Sequence, residues 1–147
     1  MLSPDGKVFQ EMSYFKEEVR TFDLEEVSKG GQERVQEKDK MTLIHDGLVM
    51  GLQNYFGKLG FKKAILGLSG GIDSAVVAVL AARALGKDNV RVILMPSQFS
   101  SDHSVNDARA LAENLGIQYD IIPIEPMYES FSTALEPHFW AKDFNIA

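Results

Sequence analysis

Leu66-Gly67-Leu68-Ser69-Gly70-Gly71-Ile72-Asp73-Ser74 is the segment of this chain with the residue types for chemistry. Two adjacent glycines remove Cβ atoms, so backbone N–H groups can curl around an anion. Ser69 and Ser74 add hydroxyl donors, and Asp73 adds a carboxylate. A helix starting here would contribute roughly half a positive charge at its N-terminus. Such a loop suits a phosphate or a pyrophosphate. It is not a Walker A loop, because no lysine lies between Lys63 and Lys87. Nor is it a Rossmann loop, because Gly67, Gly70 and Gly71 have the wrong spacing. Gly67-Leu68-Ser69-Gly70-Gly71 does match the Gly-x-Ser-x-Gly nucleophile elbow. That alternative makes Ser69 a nucleophile, with His103 or His138 as its base, and leaves Asp73 and Ser74 without a role. A third option is a nucleotide-binding module that senses ATP.

The elements around this loop follow from hydrophobic pattern. Ala64-Ile65-Leu66-Gly67-Leu68 is a continuous apolar run, as in a strand buried on both faces of a parallel sheet. Residues 74–85 are rich in Ala and Leu and predict a helix, stopped by Gly86. Residues 89–95 predict a second buried strand, ended by Pro96. Residues 97–103 form a polar loop. Residues 105–115 predict a helix stopped by Gly116. Residues 119–124 predict a third strand, where Pro123 implies an edge or terminal position. Residues 127–135 predict a last helix. Alternating strands and helices imply right-handed crossovers and an α/β fold, a partial doubly wound parallel sheet with helices on both faces. In such sheets ligands sit at the carboxyl ends of the strands, where 66–74 falls.

Upstream, Ser3-Pro4-Asp5-Gly6 is a turn. Residues 7–14 and 18–24 predict two strands of a short antiparallel β-ribbon, which needs a cover for its apolar face. Residues 25–40 read as a charged linker, partly helical. Thr42 is placed to cap a helix whose apolar positions are Ile44, Leu48, Leu52, Tyr55, Phe56 and Leu59, with Gly60 as its stop. Met41, Met50, Met95 and Met127 are expected in or near the core.

The chain has 147 residues, 45% apolar and 24% charged, which is globular composition. Its net charge of −6 excludes a general nucleic-acid binder, which needs a basic face. No window approaches a membrane span of ~20 uncharged apolar residues. With no cysteine there is no disulfide, thiolate metal site or thiol nucleophile. The composition and the absence of a signal-like apolar start make a soluble cytoplasmic protein the expectation.

Ser69-Gly70-Gly71-Ile72-Asp73-Ser74 resembles the SGGxDS loop of the PP-loop ATP pyrophosphatases. Met95-Pro96-Ser97-Gln98-Phe99-Ser100-Ser101, Ser104, Asp107-Ala108 and Leu111-Ala112-Glu113-Asn114-Leu115-Gly116-Ile117 narrow the resemblance to the NAD synthetases. Residues 1–24 are similar to the closing strands of a nitrilase-like glutaminase domain, and 41–147 to the first half of a synthetase domain, as in glutamine-dependent members. The resemblance implies ATP and Mg²⁺ as cofactors. It implies deamido-NAD and ammonia or glutamine as substrates, and a homodimer or higher homo-oligomer. Gly67, Leu68, Ser69, Gly70, Gly71, Ile72, Asp73 and Ser74 would bind ATP phosphates, and Met95 would meet the adenine. Ser69 and Asp73 would be catalytic, with Asp73 as the Mg²⁺ ligand. Residues 96–101 would border the nucleotide pocket. The glutaminase cysteine and the later part of a synthetase domain are missing from the match. The expectation is therefore a fragment of a larger synthetase, inactive alone.

Overall fold

The structure is a computed structural model that describes residues 1–30 and 39–139. Residues 31–38 and the tail from Trp140 lie outside the described residues, so parts of the expected linker and tail have no structural account. The chain divides into two compact units, residues 1–51 and 52–147, each described by itself.

In the first unit the expected turn forms, with the Gly6 N–H donating to the Ser3 carbonyl at 2.9 Å. The β-ribbon expected over residues 7–24 does not form. Antiparallel pairing among the described residues is a single bridge between Leu2 and Val8. A two-stranded ribbon is stable only with its apolar face covered, and Val19 is 96% exposed. Helix α1 is Leu24–Lys29, capped by Asp23, whose carboxylate accepts from the Glu25 N–H at 2.8 Å. Its Val27 is buried. Helix α2 is Lys40–Leu59. It starts before Thr42, because Asp39 rather than Thr42 is the acceptor there, taking the Thr42 N–H at 3.1 Å. Phe15, with a positive φ of 57°, sets its ring in the notch left by Gly47 of α2, 3.3 Å from where a Cβ would stand.

In the second unit α2 ends as expected at Gly60. The bonds Gly60 N–H to Gly57 O and Phe61 N–H to Phe56 O close a Schellman motif. Strand β1 is Ala64–Gly67, α3 is Ile72–Leu85, β2 is Val90–Leu94, α4 is Asp102–Leu115, β3 is Gln118–Ile121 and α5 is Glu125–Phe139. The sheet is parallel, ordered β1-β2-β3, with Leu66 beside Val92 and Val92 beside Tyr119. Pro123 falls beyond β3, which is an edge strand as expected. Strand β2 supplies the centre of the core: Val90, Val92 and Leu94 are buried with Leu68, Ala78, Ala108, Ala112 and Ile117. The valine, leucine and isoleucine side chains among these contribute about 1.5–3 kcal/mol each when fully buried. Alanines on both helices let α3 and α4 pack closely, against each other as well as on the sheet.

Three expectations need correction. Consecutive strands joined by crossovers of one hand put both helices on one face, so α3 and α4 share a face and do not flank the sheet. For the same reason β1 is not buried on both faces: its residues alternate, and Ile65 is 68% exposed. The methionines are also more exposed than expected. Met41, Met95 and Met127 are each at least half exposed.

Candidate nucleotide site

The loop after β1 is held by its own atoms. Gly71 is the N-cap of α3 and makes no side-chain cap bond, so Asp73 lies in the first helical turn rather than serving as the cap. The helix starts two residues before the expected Ser74. The Ser69 Oγ accepts from the Gly71 N–H at 3.2 Å. The Ser74 Oγ accepts from the Ser69 N–H at 3.2 Å and donates to the Gly71 carbonyl at 3.0 Å. The two hydroxyls lie 3.0 Å apart. Three residues thereby close a tight turn at the positive end of the α3 dipole.

Gly70 is needed twice over. Its φ is +82°, and a Cβ there would stand 2.7 Å from Ser104 Cα and 2.8 Å from the Ser104 carbonyl carbon. The turn therefore lies directly on the first turn of α4. That helix starts at Asp102, three residues before the expected Val105, because Ser101 caps it by accepting from the Ser104 N–H at 3.2 Å. The Ser-x-x-Ser spacing was the available signal for this earlier start.

Between the two loops opens a small cleft at the carboxyl ends of β1 and β2. Leu68 and Ser69 line one side, and Leu94, Met95, Pro96, Ser100, Ser104 and Val105 the other. Of the expected site residues, the cleft gathers Leu68, Ser69 and Met95. Gly70, Gly71, Ile72, Asp73 and Ser74 form the turn and first helical turn beside it and are not in its lining. Gly67 sits under Met95, whose Cε would be 3.3 Å from a Cβ at Gly67. Asp73 and Ile72 are exposed. The expected border from residues 96–101 is present through Pro96 and Ser100.

The nucleophile-elbow alternative finds no support in this geometry. An elbow serine sits on a strained turn, yet among the described non-glycine residues only Phe15 has positive φ. The Ser69 hydroxyl bonds to Gly71 and Ser74, neither of which is a general base.

The NAD synthase family model matches residues 44–146, a range that includes this turn and the cleft beside it. The chain belongs to the NAD synthase family. It is 44% identical over 99% of its length to the glutamine-dependent NAD(+) synthetase of Synechocystis, and covers 27% of that relative. It is 53% identical over 55% of its length to the NH(3)-dependent NAD(+) synthetase of Helicobacter hepaticus, covering 30% of it. The structure resembles the Acinetobacter baumannii glutamine-dependent NAD+ synthetase solved with adenosine diphosphate. That likeness has a TM-score of 0.74 and 35% identity, and covers 78% of this chain and 22% of that one. The chain thus spans between a fifth and a third of the length of these NAD synthetases.

Outside this loop pair, sequence reasoning missed Glu125 and Tyr128. The Glu125 carboxylate accepts from the Gln98 N–H at 2.8 Å, and Tyr128 meets Phe99 edge-on at 6.1 Å. No local pattern marks a tie across 27 residues.

Proposed function

We propose that the Ser69–Ser74 turn and the cleft beside it hold ATP, and that the whole protein amidates deamido-NAD to NAD. The observation that carries this reading is the serine-locked, glycine-bent turn capping α3 at the end of β1. Amides and hydroxyls gathered there suit the β- and γ-phosphates, leaving the α-phosphorus open to in-line attack. A carboxylate oxygen of deamido-NAD attacks that phosphorus, and the bond to pyrophosphate breaks. Ammonia then attacks the acyl carbon, and AMP leaves with the carbon–oxygen bond electrons. Ser69 and the turn amides stabilise charge as it develops on departing pyrophosphate. Met95, which lines the cleft, would meet the adenine. The adenosine diphosphate held by the Acinetobacter baumannii relative supports an adenine nucleotide as ligand.

Asp73 fits a Mg²⁺ that arrives with the nucleotide. It is an exposed carboxylate next to Ser74 in the first turn of α3, and Mg²⁺ is commonly held by one or two carboxylates plus phosphate oxygens. Among the described residues no group of three or more His, Cys, Asp or Glu could cage a metal. Bound at Asp73, the cation would offset phosphate charge. Glutamine is the proposed ammonia source in the whole protein. The glutamine-dependent relative matches 99% of the chain, including residues 1–24, whereas the ammonia-dependent one matches 55%. We assign residues 1–24 to the end of a glutaminase domain on that ground.

Calorimetric titration of the chain with ADP, with and without Mg²⁺, tests the reading. Asp73→Asn should weaken Mg-ADP binding about tenfold, equivalent to about 1.4 kcal/mol, and leave ADP binding in EDTA unchanged. Equal Mg²⁺ dependence in both proteins removes Asp73 from the metal site. No nucleotide binding by the wild type overturns the site.

A further inference from the structure

The second wall of the cleft is a loop held by its own short bonds, among them Phe99 N–H to Ser97 Oγ at 3.3 Å, and by a distant segment. Residues 95–101 run from β2 to the cap of α4, and Gln98, Phe99 and Ser100 are exposed. Within the loop, the Ser97 N–H donates to Ser100 Oγ at 3.0 Å and the Ser100 N–H to the Ser97 carbonyl at 2.9 Å. That small turn puts Ser100 at the cleft but does not fix where the turn sits. Three ties from one distant segment do. The Ile124 N–H donates to the Pro96 carbonyl at 3.0 Å, the Glu125 carboxylate takes the Gln98 N–H, and Tyr128 braces Phe99. All three come from the end of β3 and the first turns of α5, which neither the phosphate-loop pattern nor the cleft lining includes.

We infer that Glu125, assisted by Tyr128, is a positioning residue for the nucleotide: it holds the 96–101 wall in the arrangement that receives the nucleoside side of the ligand. The inference rests on the nucleotide reading of the cleft. Glu125 touches no ligand. It acts by keeping most of the population in the binding-competent arrangement, and apparent affinity falls in proportion to the fraction that leaves it. The charged acceptor makes this a stronger bond than a neutral pair would, and no other tie in the set can replace it at Gln98. Pyrophosphate, held by the Ser69–Ser74 turn alone, should not register the wall.

The test combines amide exchange at Gln98 with calorimetry of Mg-ADP and Mg-pyrophosphate on the full 147-residue chain. Glu125→Ala should speed Gln98 exchange about tenfold and weaken Mg-ADP about fivefold, with Mg-pyrophosphate unchanged. Glu125→Gln keeps an acceptor oxygen and should restore both. Tyr128→Leu, which keeps a good helix former in α5, should weaken Mg-ADP about twofold by a route that does not touch Glu125. Unaltered Gln98 exchange in Glu125→Ala overturns the tie. Faster exchange with unaltered Mg-ADP affinity overturns the positioning role, as does an equal loss for both ligands. If the wild type binds pyrophosphate and ADP equally well, the wall has no part in binding and the inference falls while the phosphate site stands. If it binds neither, the nucleotide reading falls and takes the inference with it.

Discussion

Ser69, in one wall of the cleft, is fastened to Ser74, five residues away, whereas Gln98, in the loop that carries the other wall, is fastened to Glu125, 27 residues away. The first wall is shaped by its own glycines and hydroxyls plus the backbone of α4. The second has serine bonds of its own but is also tied to Ile124, Glu125 and Tyr128, which belong to neither loop. A self-held turn can be written as a short sequence pattern and survives changes elsewhere in the chain. A borrowed one depends on whatever positions α5. On the proposed nucleotide reading, the side for phosphate, common to every nucleotide, is thus the locally determined one. The side facing the rest of the ligand is open to adjustment from a distance.

The sharpest way to break the contrast is Gly70→Ala. A left-handed φ costs a residue with Cβ about 1–2 kcal/mol, and crowding against the Ser104 backbone adds about 1–3 kcal/mol. Urea unfolding should show a loss of about 3 kcal/mol, and Mg-ADP binding should disappear as α4 is pushed off the turn. Gly71→Ala is the control. Its φ is −83° and its nearest obstacle is the Ser69 hydroxyl at 3.3 Å, so a loss under about 1 kcal/mol is expected. Equal losses in the two would mean that the turn does not lean on α4.

A smaller effect is expected at Ser74→Ala. It removes the hydroxyl that joins Ser69 to Gly71, but water can reach this exposed turn, so about 1 kcal/mol is the expected loss. Amide exchange should quicken at Ser69 and stay unchanged at Gln98. Coupled quickening would show that the two walls move as one body.

How much of this was legible in the sequence follows the same division. Ser69, Gly70, Gly71 and Ser74 could be read because their partners lie within a few residues or are supplied by the next helix. Gly60 and Gly116 could be read as stops because a Schellman motif is local, and Gly116 closes one with Ile117 onto Ala112. The parallel sheet and its α/β class came from alternation alone. Residues 7–24 misled because strand-like composition says nothing about whether a partner covers it, and Val19 has none. The run at Ala64–Gly67 misled because apolar composition does not reveal which faces a neighbour fills. Helix α4 was started late because Asp102 and His103 look like loop until Ser101 is recognised as the cap. Glu125 could not be found at all, since nothing at 125 anticipates a bond to 98.

The smallest expected effect concerns acid, and it separates the walls by chemistry rather than by position. Arg91 of β2 grips Asp120 of β3 through two bonds, Nε to Oδ2 at 2.5 Å and Nη2 to Oδ1 at 2.7 Å. The guanidinium holds the Asp120 carboxyl below its ordinary value of 3.8. Because the folded state binds that proton less readily than the unfolded one, the pair stabilises the fold above about pH 3.8. That stability fades as pH falls through the lower folded value. Strand β3 leads straight to Ile124 and Glu125, so losing its grip on β2 should loosen the Gln98 wall and spare the Ser69 turn. The pair is solvent-exposed, which keeps the effect small and makes it weaker in 1 M salt, where the screening length is about 3 Å. Asp5, lowered to about 2 by the Ser3 hydroxyl and Lys7, gives the other compact unit an acid sensitivity of the same sign. Two variants therefore divide the signal. Between about pH 6 and pH 3, Asp120→Asn should show a smaller fall in urea midpoint than the wild type, with the change in exchange confined to residues 96–98. Asp5→Asn should leave those residues alone. If Asp120→Asn instead alters exchange at Ser69, then the serine turn also depends on β3, and the division between a self-held and a borrowed wall does not hold.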